Sequence, residues 1–142
     1  AVTRQVISGM VARRIEYKKE TAPYKTADEQ IEQYIRRGKL NPETVRDALA
    51  WEEMDFVTAA LAKMGRIHPY IVRKILATKA AKPIVALCWR AGLPMRMAID
   101  IQKELGKVSP TEILYAKGGT DYPLTQDELK WQLEFFGVDL AA

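Results

Sequence analysis

Gly38-Lys39-Leu40-Asn41-Pro42 returns 27 residues further on as Gly65-Arg66-Ile67-His68-Pro69, and again, with its proline one place early, as Gly92-Leu93-Pro94. Each run reads as the stop of one helix and the start of the next. Glycine takes the left-handed conformation just past a helix C-terminus, and the apolar residue after it packs back on that helix. Asn41 or His68 then offers an acceptor at the N-cap, and proline presets the backbone of the first turn. The register also holds between these signals: Val45-Arg46 and Leu49-Ala50 align with Val72-Arg73 and Leu76-Ala77. Gly106-Lys107-Val108-Ser109-Pro110 repeats the signal out of phase, after 14 residues.

A unit of this length holds two short helices. The spacing predicts them over about Pro42–Trp51 and Asp55–Met64, then Pro69–Thr78 and Pro83–Ala91. Such hairpins cannot bury both faces alone, so they stack. Val45, Leu49, Val57, Leu61, Val72, Leu76, Ile84 and Cys88 share repeat phases and are the expected core. Upstream, Val6, Ile7, Met10, Val11 and Ile15 form one stripe of a helix over Val2–Lys19. Thr26 and Glu29 form a capping box before Ile31, Tyr34 and Ile35. Downstream, helices are expected over Met95–Leu105 and Pro110–Tyr115, the second opened by Ser109 and Glu112. Lys117-Gly118-Gly119-Thr120-Asp121-Tyr122-Pro123 must turn, because Gly-Gly and Tyr-Pro disfavour continued helix. Thr125 and Glu128 cap a last helix, whose Leu129, Leu133 and Phe136 are flanked by Trp131 and Phe135. The expected fold is all-α, a HEAT-like stack of short antiparallel helix hairpins with capping helices at both ends. It forms one domain over residues 1–142, with repeat units at about 38–64 and 65–91 and a C-terminal cap at about 94–137.

Composition sets the outer limits. The 142 residues, 48% hydrophobic and 28% charged, suit one globular domain. No apolar run approaches the roughly 18 residues of a membrane span, so no membrane partner is expected. The start Ala1-Val2-Thr3-Arg4-Gln5 has no signal-peptide core and no initiator Met, and is read as a processed end or a boundary within a longer chain. Cys88, the single cysteine, excludes an intramolecular disulfide and a cysteine zinc cluster, and points to a reducing, cytoplasmic setting. A net charge of +4 admits an anionic partner without requiring one.

No catalytic set assembles from this inventory. His68 stands where Asn41 and Ser109 stand, directly before proline, so it reads as a helix-start residue. Cys88 lies mid-helix at the phase of Leu61 and reads as a buried thiol with nothing to lower its pKa. Glu52-Glu53 falls at an inter-helix turn, and Asp127-Glu128 in a first helical turn where negative charge suits the dipole. Gly118-Gly119-Thr120 lacks the lysine spacing and preceding strand of a phosphate loop. Trp51, Trp89 and Trp131 are assigned to packing rather than base stacking. The basic residues repeat: Arg36, Lys63 and Arg90 stand two places before successive glycines, and Lys39 and Arg66 one place after. Stacking at equal phase places these five on one exposed rim, the candidate binding surface. Cations in a last helical turn also favour the helix dipole, by about 0.3–1 kcal/mol each. No catalytic, cofactor-binding or metal-ligating residue is expected.

Arg36-Arg37-Gly38-Lys39-Leu40, Phe56…Ala59-Ala60-Leu61-Ala62 and Ala86-Leu87-Cys88-Trp89-Arg90-Ala91-Gly92-Leu93-Pro94 resemble the alphaproteobacterial domain-of-unknown-function family 2336. So does the tail Gly119-Thr120-Asp121-Tyr122-Pro123-Leu124 with Trp131-Gln132-Leu133, so that the resemblance runs from about Gln30 to Phe136. It implies HEAT-like helices in a bacterial protein and carries over no activity, cofactor or site residue. The function expected is a non-catalytic protein-interaction module with another protein as partner. The alternative is a nucleic-acid-binding domain using the basic rim, and a weaker one a DNA-repair enzyme on such a scaffold.

Overall fold

The computed structural model describes residues 26–141, so the helix expected over Val2–Lys19 lies outside the described residues. Among the described residues seven α-helices follow one another: α1 (Ala27–Arg36), α2 (Pro42–Ala50), α3 (Met54–Gly65), α4 (Pro69–Ala77), α5 (Ala81–Arg90), α6 (Met95–Glu104) and α7 (Gln126–Phe135). The only β-pairing among the described residues is one bridge closing the glycine turn, where Lys117 and Asp121 exchange backbone hydrogen bonds at 2.7 and 2.9 Å. The fold is all-α, and both expected hairpins, α2–α3 and α4–α5, form.

The helix starts follow the side chains named for them. Thr26 Oγ1 accepts from Glu29 N–H at 3.1 Å and the Glu29 carboxylate accepts from Thr26 N–H at 2.9 Å. Asn41 Oδ1 accepts from Thr44 N–H, and His68 Nδ1 from Tyr70 N–H, both at 3.0 Å. Thr125 and Glu128 repeat the box at α7.

The helix stops divide into two kinds. Gly38 and Gly92 take the left-handed turn, with φ of +67° and +80°. At Gly65 the helix runs one residue further, and Arg66 turns instead with φ +53°. Gly106 also yields its turn, to Lys107 at φ +52°. Only Gly106 serves close approach, since a Cβ there would lie 2.5 Å from Ile84 Cδ1, whereas one on Gly65 would meet Arg90 Cγ at 3.4 Å, an ordinary contact. The expectation that Gly65 supplies the positive φ is corrected, because the helix includes it and Arg66 makes the turn.

Helices α1, α3, α5 and α7 pack in succession as one row. α4 packs on α3 and α5, whereas α2 makes its contact beyond α3 with α6. Thus α1, α3 and α5, which start at Ala27, Met54 and Ala81, are neighbours at equal phase, while the helices paired with them are less regular.

The core centres on α5, where Ile84, Val85, Ala86, Leu87 and Cys88 are all fully buried. Val45, Leu49, Val57, Leu61, Val72 and Ile84 are buried as expected. Leu76 is only half-buried, because Ile75, one place earlier, fills the inner position of α4. The helix expected over Pro110–Tyr115 shrinks to a single 3-10 turn, Pro110–Glu112. Its continuation is prevented by Gln102, a fully buried amide on α6. Gln102 Oε1 accepts from Leu114 N–H and its Nε2 donates to the Leu114 carbonyl, both at 2.9 Å. Leu114 is thereby held by a side chain, and Ile113 before it is extended.

Two substitutions test this packing. Leu61→Ala should cost roughly 2–5 kcal/mol in denaturant unfolding, as for a well-packed core leucine. Gly106→Ala should cost about 1–3 kcal/mol by overpacking against a buried isoleucine end. A neutral effect of the second would mean that Ile84 yields freely.

Candidate functional site

Of the five basic residues expected on one rim, the structure brings Lys63 and Arg66 together and scatters the rest. These two line a groove of about 880 Å³ between α1 and α4, over the outer face of α3. Its floor is apolar and small, with Ile31 from α1, Ala59 and Ala62 from α3, and Ile67 before α4. The groove exists because α3 presents Asp55, Thr58, Ala59 and Ala62 outward, where short side chains leave room between the flanking helices. Thr58 satisfies its own hydroxyl on the Met54 carbonyl at 2.9 Å.

The walls carry both signs of charge. Lys63, Arg66 and Arg73 face Asp28, Glu32 and Asp55 among the lining residues, and His68 adds an imidazole at the α4 end. Lys63 Nζ lies 3.4 Å from Glu32 Oε2, joining the walls of α3 and α1. Both partners are half exposed, so this contact orients side chains more than it stabilises the fold. Arg36 and Lys39 are exposed around the end of α1 and do not line the groove.

Arg90 departs from the expected exposed rim. Its side chain is half-buried and crosses to the preceding repeat, where Nε donates to the Gly65 carbonyl at 2.9 Å. That carbonyl is one of those left free at the end of α3, and the Arg90 stem lies against Gly65. Arg90 is therefore a link between helix ends. Its Nη2 is buried without a partner among the described residues.

Cys88 and Glu128 fall where the sequence places them, in the core and in the first turn of a helix. Among the described residues no group of three or more His, Cys, Asp and Glu could hold a metal ion. Cys88 is fully buried, and burial pushes its thiol well above the ordinary range. Tyr122 donates its hydroxyl to the Leu93 carbonyl at 2.6 Å, and burial, with Cys88 nearby, raises its pKa too. Glu128 is held below the usual carboxylate range by hydrogen bonds from the Thr125 backbone and side chain, as a capping role requires. Among the described residues no helix is long and apolar enough to cross a membrane.

The tryptophans divide. Trp51 and Trp89 are half-buried, as packing roles require. Trp131, also assigned to packing, is instead 58% exposed, and Phe135 beside it is 69% exposed. The two rings stack at 5.6 Å on the outer face of α7, because the inner face is already taken by Leu129 and Leu133. This apolar face is what sequence reasoning missed. The signal was the spacing, since Trp131 and Phe135 lie four apart, off the Leu129–Leu133 stripe.

Charge is distributed unevenly along the chain. Residues 1–25 contain six Lys and Arg and two Asp and Glu, and so carry the whole formal charge of +4. The remainder has 16 of each sign.

Arg90 and Lys63 make opposite predictions despite their equal repeat phase. Arg90→Ala should lower unfolding stability by about 1–3 kcal/mol, through a lost charged hydrogen bond and lost stem packing. Lys63→Ala should change it by at most about 1 kcal/mol. Equal effects in urea titrations would undo the distinction. The Cys88 thiol should resist a thiolate-selective reagent in the native protein and react once denatured; native reactivity would contradict its burial.

Comparison with known proteins adds one relationship. No curated protein and no solved structure matches the chain. A family model described as an uncharacterised protein conserved in bacteria, domain of unknown function 2336, matches residues 1–118. The match begins well before Gln30 and ends before Asp121-Tyr122-Pro123-Leu124 and Trp131-Gln132-Leu133, which corrects the extent read from the sequence. With most of its length matched, from residue 1 through α6 and the Pro110–Glu112 turn, the chain belongs to this family of uncharacterised bacterial proteins.

Proposed function

We propose that this chain is a non-catalytic protein-interaction module that takes a polypeptide segment of a partner protein in the groove between α1 and α4. One observation carries the reading: the groove joins a small apolar floor to walls bearing three cations and three anions. An extended or helical peptide with apolar anchors and charges of both signs matches such a surface. A phosphate backbone, uniformly negative, meets as much repulsion there as attraction.

A HEAT-like relationship is part of this proposal. It is supported by the equal-phase row of α1, α3 and α5, although α2 turns to α6 where a regular stack would pair it with α4. A cytoplasmic setting is also proposed, supported by the single free thiol. The nucleic-acid reading stands second and moves away from the rim: its support is the net charge of residues 1–25, outside the described fold.

Affinity capture from native cell extract tests the first reading. The full chain should retain a discrete partner, and Ala59→Arg, which fills the groove from a half-buried position, should lose it by tenfold or more with the melting temperature unchanged. Full capture by Ala59→Arg would overturn the groove as the site. A salt series with random duplex DNA addresses the second reading. Arg66→Glu with Arg73→Glu should leave its salt slope unchanged, since a slope reports phosphates neutralised. A flattened slope would restore the basic rim.

A further inference from the structure

The outer face of α7 takes no part in the groove. Trp131 and Phe135 stand on it, both more than half exposed and stacked on one another. Two tyrosines are exposed to a similar degree, and each is served otherwise. Tyr70 has the Lys74 ammonium 5.5 Å from its ring centre, and Tyr115 has that of Lys103 at 5.8 Å. Each also keeps a hydroxyl for solvent. Among the described residues no such cation lies over Trp131 or Phe135, and Phe135 has no polar atom on its ring. Beside them lies a shallow, mostly apolar hollow of about 480 Å³, walled by Ala80, Ala81, Lys82 and Pro83 at the start of α5 and by Glu112 and Leu114. Aromatic residues beside an apolar hollow are the usual anchors of a protein interface.

The charges flanking the pair indicate the occupant. Lys130 and Glu134 each precede one of the two aromatic residues, so they lie four apart along the same side of the stripe. Both are exposed, and neither forms an ion pair among the described residues. A second α7 laid antiparallel across the stripe places its own Glu134 beside Lys130 and its own Lys130 beside Glu134. A two-fold axis needs a surface complementary to itself, and one cation and one anion on the same flank of an aromatic pair meet that condition. A parallel pairing carries these flanks to opposite sides of the interface, where neither charge meets its counterpart.

We propose that the outer face of α7 is a self-association surface, where two copies of this chain pair antiparallel through Trp131 and Phe135. The aromatic side chains of each copy enter the hollow beside α5 of the other, and Lys130 and Glu134 pair reciprocally at the rim. α7 follows the residues matched by the family model, and the groove on α3 stays open in the dimer. The dimer thus presents two grooves, which raises avidity for a partner carrying two copies of the recognised segment.

Sedimentation equilibrium of the full chain over a micromolar to millimolar range tests this. The wild type should dimerise, and Trp131→Glu with Phe135→Glu should weaken association by tenfold or more with helical circular dichroism intact. Glu134→Lys alone should weaken it by about threefold to tenfold, because lysines then meet across the axis. Adding Lys130→Glu should restore it, since the reciprocal pairing returns with its signs exchanged. A monomeric wild type throughout the range, or dimerisation indifferent to the aromatic substitutions, overturns the surface. Failure of the charge exchange to restore association overturns the antiparallel pairing. Association of the wild type only when a chain-independent additive or extract protein is supplied also overturns self-association and assigns the face to another partner.

Discussion

The structure depends on a helix that is apolar nearly all round. From Pro83 to Cys88 every residue of α5 is buried, and α3, α4, α6 and α7 all pack against it. A helix with no solvent face must be surrounded, and the neighbours are shaped to do so. Gly106 gives up its Cβ to the end of Ile84, and the Arg90 stem closes over Gly65. The Cys88 thiol is pushed up for the same reason, since burial leaves a thiolate without water around it. The groove exists at the edge of this arrangement. There α3 is covered by α1 on one side and α4 on the other, and small residues leave the space between them unfilled.

How much of this was legible depended on whether a residue's role was local. Caps were, because Thr26, Asn41, His68 and Thr125 bond backbone within three residues of themselves. Glycine was legible in part. The same letter marks a turn at Gly38 and Gly92, a last helical residue at Gly65 and a close approach at Gly106, and the close approach depends on what arrives from elsewhere in the chain. Ser109 and Glu112 looked like another capping box, yet a buried glutamine twelve residues upstream of Leu114 had the stronger claim on that backbone. Leu76 and Ile75 differ by one place in a stripe, which periodicity alone does not resolve.

The candidate site was less legible than the fold. Equal repeat phase predicted that Lys63 and Arg90 would play the same part, and the structure gives one to a groove wall and the other to a helix end. The difference arises because the position two places before each glycine is half exposed on α3 and faces Gly65 on α5. Counting positive residues also hid that the negative ones are interleaved with them. Asp28, Glu32 and Asp55 come from two different helices and meet Lys63, Arg66 and Arg73 only once the chain is folded.

The placement of α7 separates two kinds of boundary that are often treated as one. The family model ends at residue 118, in the glycine turn that precedes α7. The core does not end there, since Leu129 and Leu133 complete the cover of α5 and Tyr122 is tied back to Leu93. A protein cut to its family-matched length would leave one side of its most apolar helix open to water. In this chain the stretch that the family model matches and the core that folds have different ends.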